Sequence, residues 1–274
     1  MTKKVKISLK WGFDLNNKEI EQMNNIIHFY DPGLPENHLY NSHISKHNPL
    51  FVIAKNGEKI ISFQSHTIYF TESPFFKKPT PVILGGTAYQ IKEACQKGLV
   101  NQMGYIFLNY CFGSFWYLKN LVFVADTINP KSLRAINAVF KGAYPSIQEK
   151  TPDNIVQFGR KIMKRFYGNQ VEVSDKLVMD NAHEYIHKTD ITEYWESMYY
   201  TKEKKYQSFY LNEGVITYQN GHYFIGSKSI VTISYYSPVK MLKFALSKFF
   251  NIKVKNALDT QKAIWYDKVP VKTM

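Results

Sequence analysis

The stretch Pro81-Val82-Ile83-Leu84-Gly85-Gly86-Thr87-Ala88-Tyr89-Gln90-Ile91 decides how this chain is read. It is an extended apolar run broken by two adjacent glycines, which inside a strand mark a bulge or a close approach by something else. Downstream, Gly98 stands beside Lys97 where a long apolar helix begins. That pairing offers backbone N–H donors, a positive dipole end and a cation to a phosphate group. A second apolar strand follows at Leu121-Val122-Phe123-Val124-Ala125, and Asn129-Pro130-Lys131-Ser132 opens another helix. From Thr80 to Tyr144 the order is strand, glycine-bearing turn, long helix, strand, helix.

Upstream, Leu50–Ala54 and Ile60–Gln64 flank Lys55-Asn56-Gly57-Glu58, and Asn-Gly between apolar runs predicts a hairpin. The second run continues through His66, Ile68 and Phe70, with Pro74 and Pro79 bracketing a turn into the central strand. Further out, Val5 to Leu15 reads as a first strand, and Asn16-Asn17 cap a helix carrying Ile20, Met23, Ile26, Ile27 and Tyr30 on one face. Asp31-Pro32-Gly33 ends that helix, and a polar stretch to Asn48 reads as a long loop. The central helix is predicted from Gln96 to Phe112, ended by Gly113-Ser114, with Phe115-Trp116-Tyr117-Leu118 as an aromatic core cluster.

Beyond Pro145, Thr151-Pro152-Asp153 starts a helix that runs to Gly168. From Val171 the composition turns to strands at Leu177–Met179, Phe209–Leu211, Val215–Tyr218, His222–Ile225 and Ile230–Ile233. A last helix from Ser237-Pro238 sets Val239, Leu242, Leu246 and Phe249 among Lys240, Lys243 and Lys248. Such a basic amphipathic face suits either an anionic membrane or the chain's own domain. The expected division is a core over residues 1–170 and a strand-rich extension over 171–274. The expected fold class is α+β, a mostly antiparallel mixed sheet with flanking helices.

A chain of 274 residues with 45% apolar content, 20 Tyr and 19 Phe builds a packed core and excludes disorder. No run approaches the ~18 apolar residues of a membrane span, and the N-terminus passes into an alternating strand without an apolar leader segment, so a cytoplasmic protein is expected. Cys95 and Cys111 fall at opposite ends of one predicted helix, roughly 24 Å apart at ~1.5 Å per residue, too far to bridge. The net charge of +13 attracts anions. A phosphate-bearing cofactor, nucleic acid, an acidic lipid surface or an acidic protein partner would each use it, as would a merely solvated lysine-rich surface.

The order of parts from Thr80 to Tyr144 resembles the GNAT acyltransferase superfamily. Its core is a strand, a pyrophosphate-binding turn at a helix N-terminus, a second strand splayed from the first, and a helix. The turn matches at Gly98, with Cys95 and Val100 at its departing flanks. Asn129-Pro130 and Gly142-Ala143-Tyr144 are similar to the family's helix start and end, while Ala138 stands where many members carry an acidic-proton-donating tyrosine. The resemblance implies acyl transfer, most often acetyl, from coenzyme A to the amine of a small molecule or a protein. It implies no metal. Ile91 would pair with the pantetheine arm, and Gln96, Lys97, Gly98, Leu99 and Val100 would meet the pyrophosphate. Asn129 and Ser132 would line the far side of the groove. Glu93 would be the base, with Tyr144 or Tyr89 as acid for the thiolate. The region up to Asn48 would wall the acceptor pocket, making His43, His47 and Asn48 candidates to touch substrate. A non-catalytic acyl-CoA or anionic-ligand binder of the same fold is the quieter alternative.

A competing motif is His183-Glu184-Tyr185-Ile186-His187. On a helix it sets two imidazoles on one face for zinc, with the glutamate as base, and so implies a hydrolase. The polar flanks Asn181 and Lys188-Thr189-Asp190 argue against a long buried helix there.

Overall fold

The computed structural model describes residues 5–30, 34–94, 98–140, 142–181, 201–219, 222–238 and 272–273. Strand β1 (Val5–Trp11) leads through a 3-10 turn, Gly12–Asp14, into helix α1 (Asn17–Tyr30). The first strand is therefore shorter than its sequence pattern suggested, because Gly12 turns the chain. A π-helical turn Leu39–Ile44 and a short helix α2 (Ser45–His47) occupy the stretch expected to be an irregular loop. Leu39 and Ile44 account for this, since both are fully buried against α1.

Next come β2 (Leu50–Asn56), β3 (Lys59–Ser73) and β4 (Phe76–Gln90), joined as antiparallel hairpins. Pro79 lies inside β4 rather than in the turn. Prolines are tolerated there because pairing to the other neighbour starts only at Val82. Helix α3 (Leu99–Phe112) connects β4 to β5 (Leu121–Thr127), and α4 (Pro130–Val139) follows. Then come α5 (Asp153–Tyr167), β6 (Glu172–Val173), β7 (Val178–Asp180), α6 (Lys204–Asn212), β8 (Ile216–Gln219), β9 (His222–Ile225), β10 (Ser229–Tyr236) and β11 (Lys272–Thr273).

The main sheet runs β1-β2-β3-β4-β5-β10-β7-β6, with β11 beside β3, and β8 and β9 form a separate pair. Along that run only β4 and β5 are parallel, so the chain is a mixed α/β fold with a mostly antiparallel sheet. The sheet draws strands from both sides of residue 170, since β10 pairs with β5 from Ile230↔Thr127 to Tyr236↔Leu121.

Alternation along the strands sends side chains to two covered faces. On one, Leu50, Val52, Ile61, Ile83 and Leu121 pack under Leu99, Met103 and Phe107 of α3. On the other, Phe51, Ile53 and Phe63 meet Met23 and Ile27 of α1, and Val82, Leu84, Val122 and Val124 meet Phe158 and Ile162 of α5. Two sequence expectations change. Phe209–Leu211 belongs to α6, not to a strand, because Tyr206 and Tyr210 are buried at a spacing of one helical turn. Phe115 and Leu118 are exposed at 66% and 53%, so that cluster is a partly solvated turn after α3. The motif His183-Glu184-x-x-His187 and the final basic helix beyond Pro238 lie outside the described residues. No helix among the described residues is long and apolar enough to cross a membrane.

Two buried polar groups hold this arrangement. Glu19 closes a capping box with Asn16, taking that residue's N–H at 3.2 Å while its own N–H goes to Asn16 Oδ1 at 2.9 Å. The same carboxylate binds Lys10 of β1 and Lys55 of β2, each at 2.9 Å, so it ties α1 to two strands. Burial raises its pKa, but the bonds from Lys55, Lys10 and the Asn16 amide outweigh that and leave the carboxyl below its usual range. The second group is His66 on β3, whose ring packs on Phe107 at 4.2 Å, with Nε2 3.3 Å from Gln64 Oε1. Burial pushes its pKa down to about 4.

Glu19→Gln should cost about 2–3 kcal/mol, the worth of hydrogen bonds to a buried charge, seen as a lower urea midpoint at unchanged slope. A midpoint equal to the parent's would show that the carboxylate is not a tie. For His66, the unfolded chain takes up a proton below about pH 6.5, while the folded protein does not until about pH 4. Stability from this group is thus complete above pH 6.5 and falls away toward pH 4. His66→Phe should show an acid loss smaller by about 3 kcal/mol over that window. Parallel stability–pH curves for the two proteins would refute this.

Candidate functional site

The site begins with how β4 spends its backbone. Ile91 N–H donates to Ile61 O at 2.9 Å, and the register runs Ser62↔Gln90, Phe63↔Tyr89, Gln64↔Ala88. In an antiparallel ladder alternate residues face one neighbour, so residues 91 and 89 turn to β3, and Ala88 and Gln90 turn to the other edge. On that edge β5 has already left, because the parallel pairing runs only from Val82↔Val122 to Gly85↔Ala125. A gap opens between the two strands, with the Ala88 and Gln90 amides facing it.

The glycines mark where this happens. The register passes from Gln64↔Ala88 to His66↔Gly85, so β4 carries one extra residue in a bulge at Gly86-Thr87. A Cβ on Gly86 would lie 2.5 Å from Ser65 Oγ, and one on Gly85 3.1 Å from the Phe123 ring. The close approach read from the sequence is made by the protein's own side chains.

Two helices start at this end of the sheet. Gly98 caps α3 with φ 66°, a left-handed conformation that favours glycine. The first backbone bond of α3 is Gln102 N–H to Gly98 O at 3.2 Å, so the N–H groups of Leu99, Val100 and Asn101 have no acceptor within the helix. The Leu99 side chain is buried and Val100 is exposed. At α4, Asn129 Oδ1 accepts the Lys131 N–H at 2.9 Å and Asn129 O accepts that of Ser132 at 2.9 Å, so Asn129 serves as the helix cap before Pro130. Burial, and then Arg134, push the Lys131 ammonium below its usual range.

The α1-side face near the gap carries His43, one of the residues the sequence offered as touching substrate, together with Thr87 and His38, which it did not single out. Thr87 Oγ1 lies 2.8 Å from His43 Nε2, and the His38 ring meets that of His43 edge to face at 5.4 Å. His47 stacks on Phe166 of α5 at 3.9 Å, and Asn48 Oδ1 accepts the Phe13 N–H at 2.9 Å. On β5, Asp126 accepts a hydrogen bond from Tyr167 at 2.9 Å. Burial, and then the Asp126 charge, raise that phenol well above its usual range. Asp126 had one signal in the sequence, a lone acid ending an apolar strand. Thr87 had only its place after the glycine pair.

The predicted site residues do not all meet. Tyr89 stands on β4 between the two gap-facing amides, its ring stacked on Tyr30 at 5.8 Å and close to Phe63 at 5.9 Å. Ile91 spends its N–H on Ile61 and its carbonyl on Ala94 N–H, so it offers no strand edge to a pantetheine arm. Glu93 is exposed in a 3-10 turn, Lys92–Ala94, and lines a groove of about 640 Å³ with Ile26, Phe29 and Ile60. That groove lies on the β3 side of β4, away from the gap. Tyr144 bridges Ile233, donating its N–H at 2.7 Å and accepting at 2.9 Å. Its ring stacks on Phe75 at the start of β4, at the opposite end of the strand from Gly98. Gln96 and Lys97, with Cys95, lie outside the described residues. Among the described residues no group of three or more His, Cys, Asp or Glu side chains is placed to hold a metal.

No protein-family model matches the chain, and no curated protein is similar to it in sequence. Solved structures similar to it include an aminoglycoside N-acetyltransferase AAC(6')-Iy in complex with CoA, at 16% identity and TM-score 0.36, covering 50% of this chain and 89% of that one. Another is Arabidopsis thaliana NAA60 in complex with acetyl-CoA, at 13% identity and TM-score 0.36, covering 48% and 84%. A third is a ribosomal-protein-alanine N-acetyltransferase from Brucella melitensis biovar Abortus 2308, at 13% identity and TM-score 0.36, covering 50% and 90%. In its own sheet the chain presents hairpins leading into β4, a parallel β4–β5 pair that parts, a glycine-led helix between them and an Asn-Pro helix after.

Proposed function

We propose that the protein is an acyl-CoA N-acyltransferase, moving an acyl group, acetyl in the first instance, from coenzyme A to a primary amine. One observation carries this reading. The parallel strands part after Gly85↔Ala125, leaving the Ala88 and Gln90 N–H groups on an edge that β5 no longer pairs, although Tyr30 donates to the Gln90 carbonyl, at the end of the sheet where α3 begins with N–H groups that have no acceptor within the helix. A pantetheine arm is a chain of amides that can take a strand's place on such an edge. The pyrophosphate then reaches the N–H groups of Leu99, Val100 and Asn101 and the positive end of the α3 dipole, with Lys97 adding charge. Asn129 and Ser132 line the far wall at the start of α4.

With the thioester in the gap, an amide of the β4 edge polarises its carbonyl as an oxyanion hole does. Tyr89, between the two gap-facing amides, is the candidate acid for the leaving sulfur. Glu93, on the β3 side of β4, and Tyr144, beyond β10, take no part in this arrangement. The chemistry needs no metal.

Acetyl-CoA at a hundred times its dissociation constant should add about 2.7 kcal/mol of stability, read as a rise in melting temperature. Release of CoA thiol in the presence of a panel of primary amines would then identify the acceptor. No thermal shift with any acyl-CoA at millimolar concentration would end this reading.

Gly98→Glu places a carboxylate where the pyrophosphate is to sit. A Cβ at Gly98 meets nothing within 4 Å, so the cost to folding is that of the left-handed backbone, about 1 kcal/mol. The variant should keep its circular-dichroism spectrum and lose the acetyl-CoA shift, whereas Gly98→Asn, which tolerates that backbone, should keep both. Equal binding by Gly98→Glu and the parent would mean the phosphate site lies elsewhere.

A further inference from the structure

His43 and Thr87 come from segments far apart in the chain and meet at the point where β4 leaves β5. Thr87 belongs to the bulge and precedes Ala88, whose amide faces the gap. It is held from two sides: its carbonyl accepts from Ser65 Oγ at 3.4 Å, and its hydroxyl lies 2.8 Å from His43 Nε2. The buried side chains of Leu39 and Ile44 anchor the π-helical turn that carries His43. An imidazole fixed on a hydroxyl beside an oxyanion site has the chemistry of a proton acceptor.

We propose that Thr87 and His43 form the proton-accepting pair that deprotonates the acceptor amine. This rests on the acyl-transfer reading above. The acceptor arrives as R–NH3+. The Thr87 hydroxyl passes its proton to His43 Nε2 as it takes one from the amine. The freed nitrogen lone pair then forms the C–N bond at the thioester carbonyl carbon, and the carbonyl π pair moves onto oxygen. When that pair returns, the C–S bond breaks, and the sulfur leaves with the bonding pair and takes the Tyr89 phenol proton, which the second amine proton then replaces. The His43 imidazolium releases its proton to water. The net change is R–NH3+ plus acyl-S-CoA giving R–NH–acyl, HS-CoA and H+.

The test uses acetyl-CoA with butylamine, and acetyl-CoA in water alone, following thiol release against pH in the parent, His43→Gln, Thr87→Val, the double variant and His38→Gln. The acetyl-CoA thermal shift is measured on each. The expected result is an intact thermal shift throughout and a rate about a hundredfold lower in His43→Gln and in Thr87→Val. The double variant should be no slower than the slower single, because the two groups act in one relay. The acid limb of the parent's pH profile should vanish in His43→Gln and persist in His38→Gln. Independent, multiplying losses, or an acid limb that survives in His43→Gln, would overturn the pair. So would a parent that is stabilised by acetyl-CoA but releases no thiol with either acceptor. A parent that acetyl-CoA does not stabilise fails at the acyl-transfer reading itself and takes the pair with it, and this separates the two failures.

Discussion

Strand β4 is bonded to β3 as far as Gln90 but shares only the registers Val82 to Gly85 with β5, and this unequal pairing governs what surrounds it. Parallel neighbours that twist apart leave one edge without partners, and an unpaired edge inside a protein must be solvated or occupied. Here the edge is opened by a bulge beside two crowded glycines, with the Ser65 side chain packed against one and the Phe123 ring against the other. The connection through α3 turns the parting into a site. Because β4 and β5 are parallel, the helices after both strands begin at the same end of the sheet, beside the gap: the first N–H groups of α3 have no acceptor within the helix, while Asn129 takes those of Lys131 and Ser132 at the start of α4.

The rest of the molecule keeps that edge in place. Helix α3 covers one face of the sheet, and α1 and α5 cover the other, so β3 is buried on both sides from Ile60 to Tyr69. Polar groups inside this packing tie elements together. Glu19 joins α1 to β1 and β2, Tyr167 joins the end of α5 to Asp126 on β5, and Tyr210 of α6 reaches the Asn129 carbonyl at 3.3 Å, at the start of α4. Each buried donor or acceptor costs free energy unless it is paired, so such ties select one arrangement of helices over others of similar apolar burial. His66 takes another course and stays uncharged among Phe107 and Phe123.

Much of the fold was legible because it is local. The Asn56-Gly57 hairpin, the Asn129-Pro130 cap and the apolar stripe of α3 depend on residues within a few positions of one another. The glycine pair announced a bulge for the same reason, since a backbone that must bend or be approached closely excludes a Cβ wherever it occurs. Misreadings came where burial overrode local polarity. The segment up to Asn48 looks like a loop by composition, yet Leu39 and Ile44 wind it into helical turns. Phe209–Leu211 has a strand's composition, yet it rides on a helix through Tyr206 and Tyr210.

The sequence alone determined the order strand, glycine turn, helix, strand, Asn-Pro helix, and the family resemblance implied that the second strand splays from the first. Only the tertiary structure decided which groups face that gap. Ladder parity turned Ile91 toward β3 and the Ala88 and Gln90 amides outward. A bridge to Ile233 set Tyr144 beyond β10, with β5 and β10 between it and β4, and the packing of Ile44 brought His43 onto Thr87 across forty-four positions of chain. Sequence periodicity says which face of an element a residue occupies. The meeting of two side chains from distant segments depends on strand register and helix packing, which the whole core sets together.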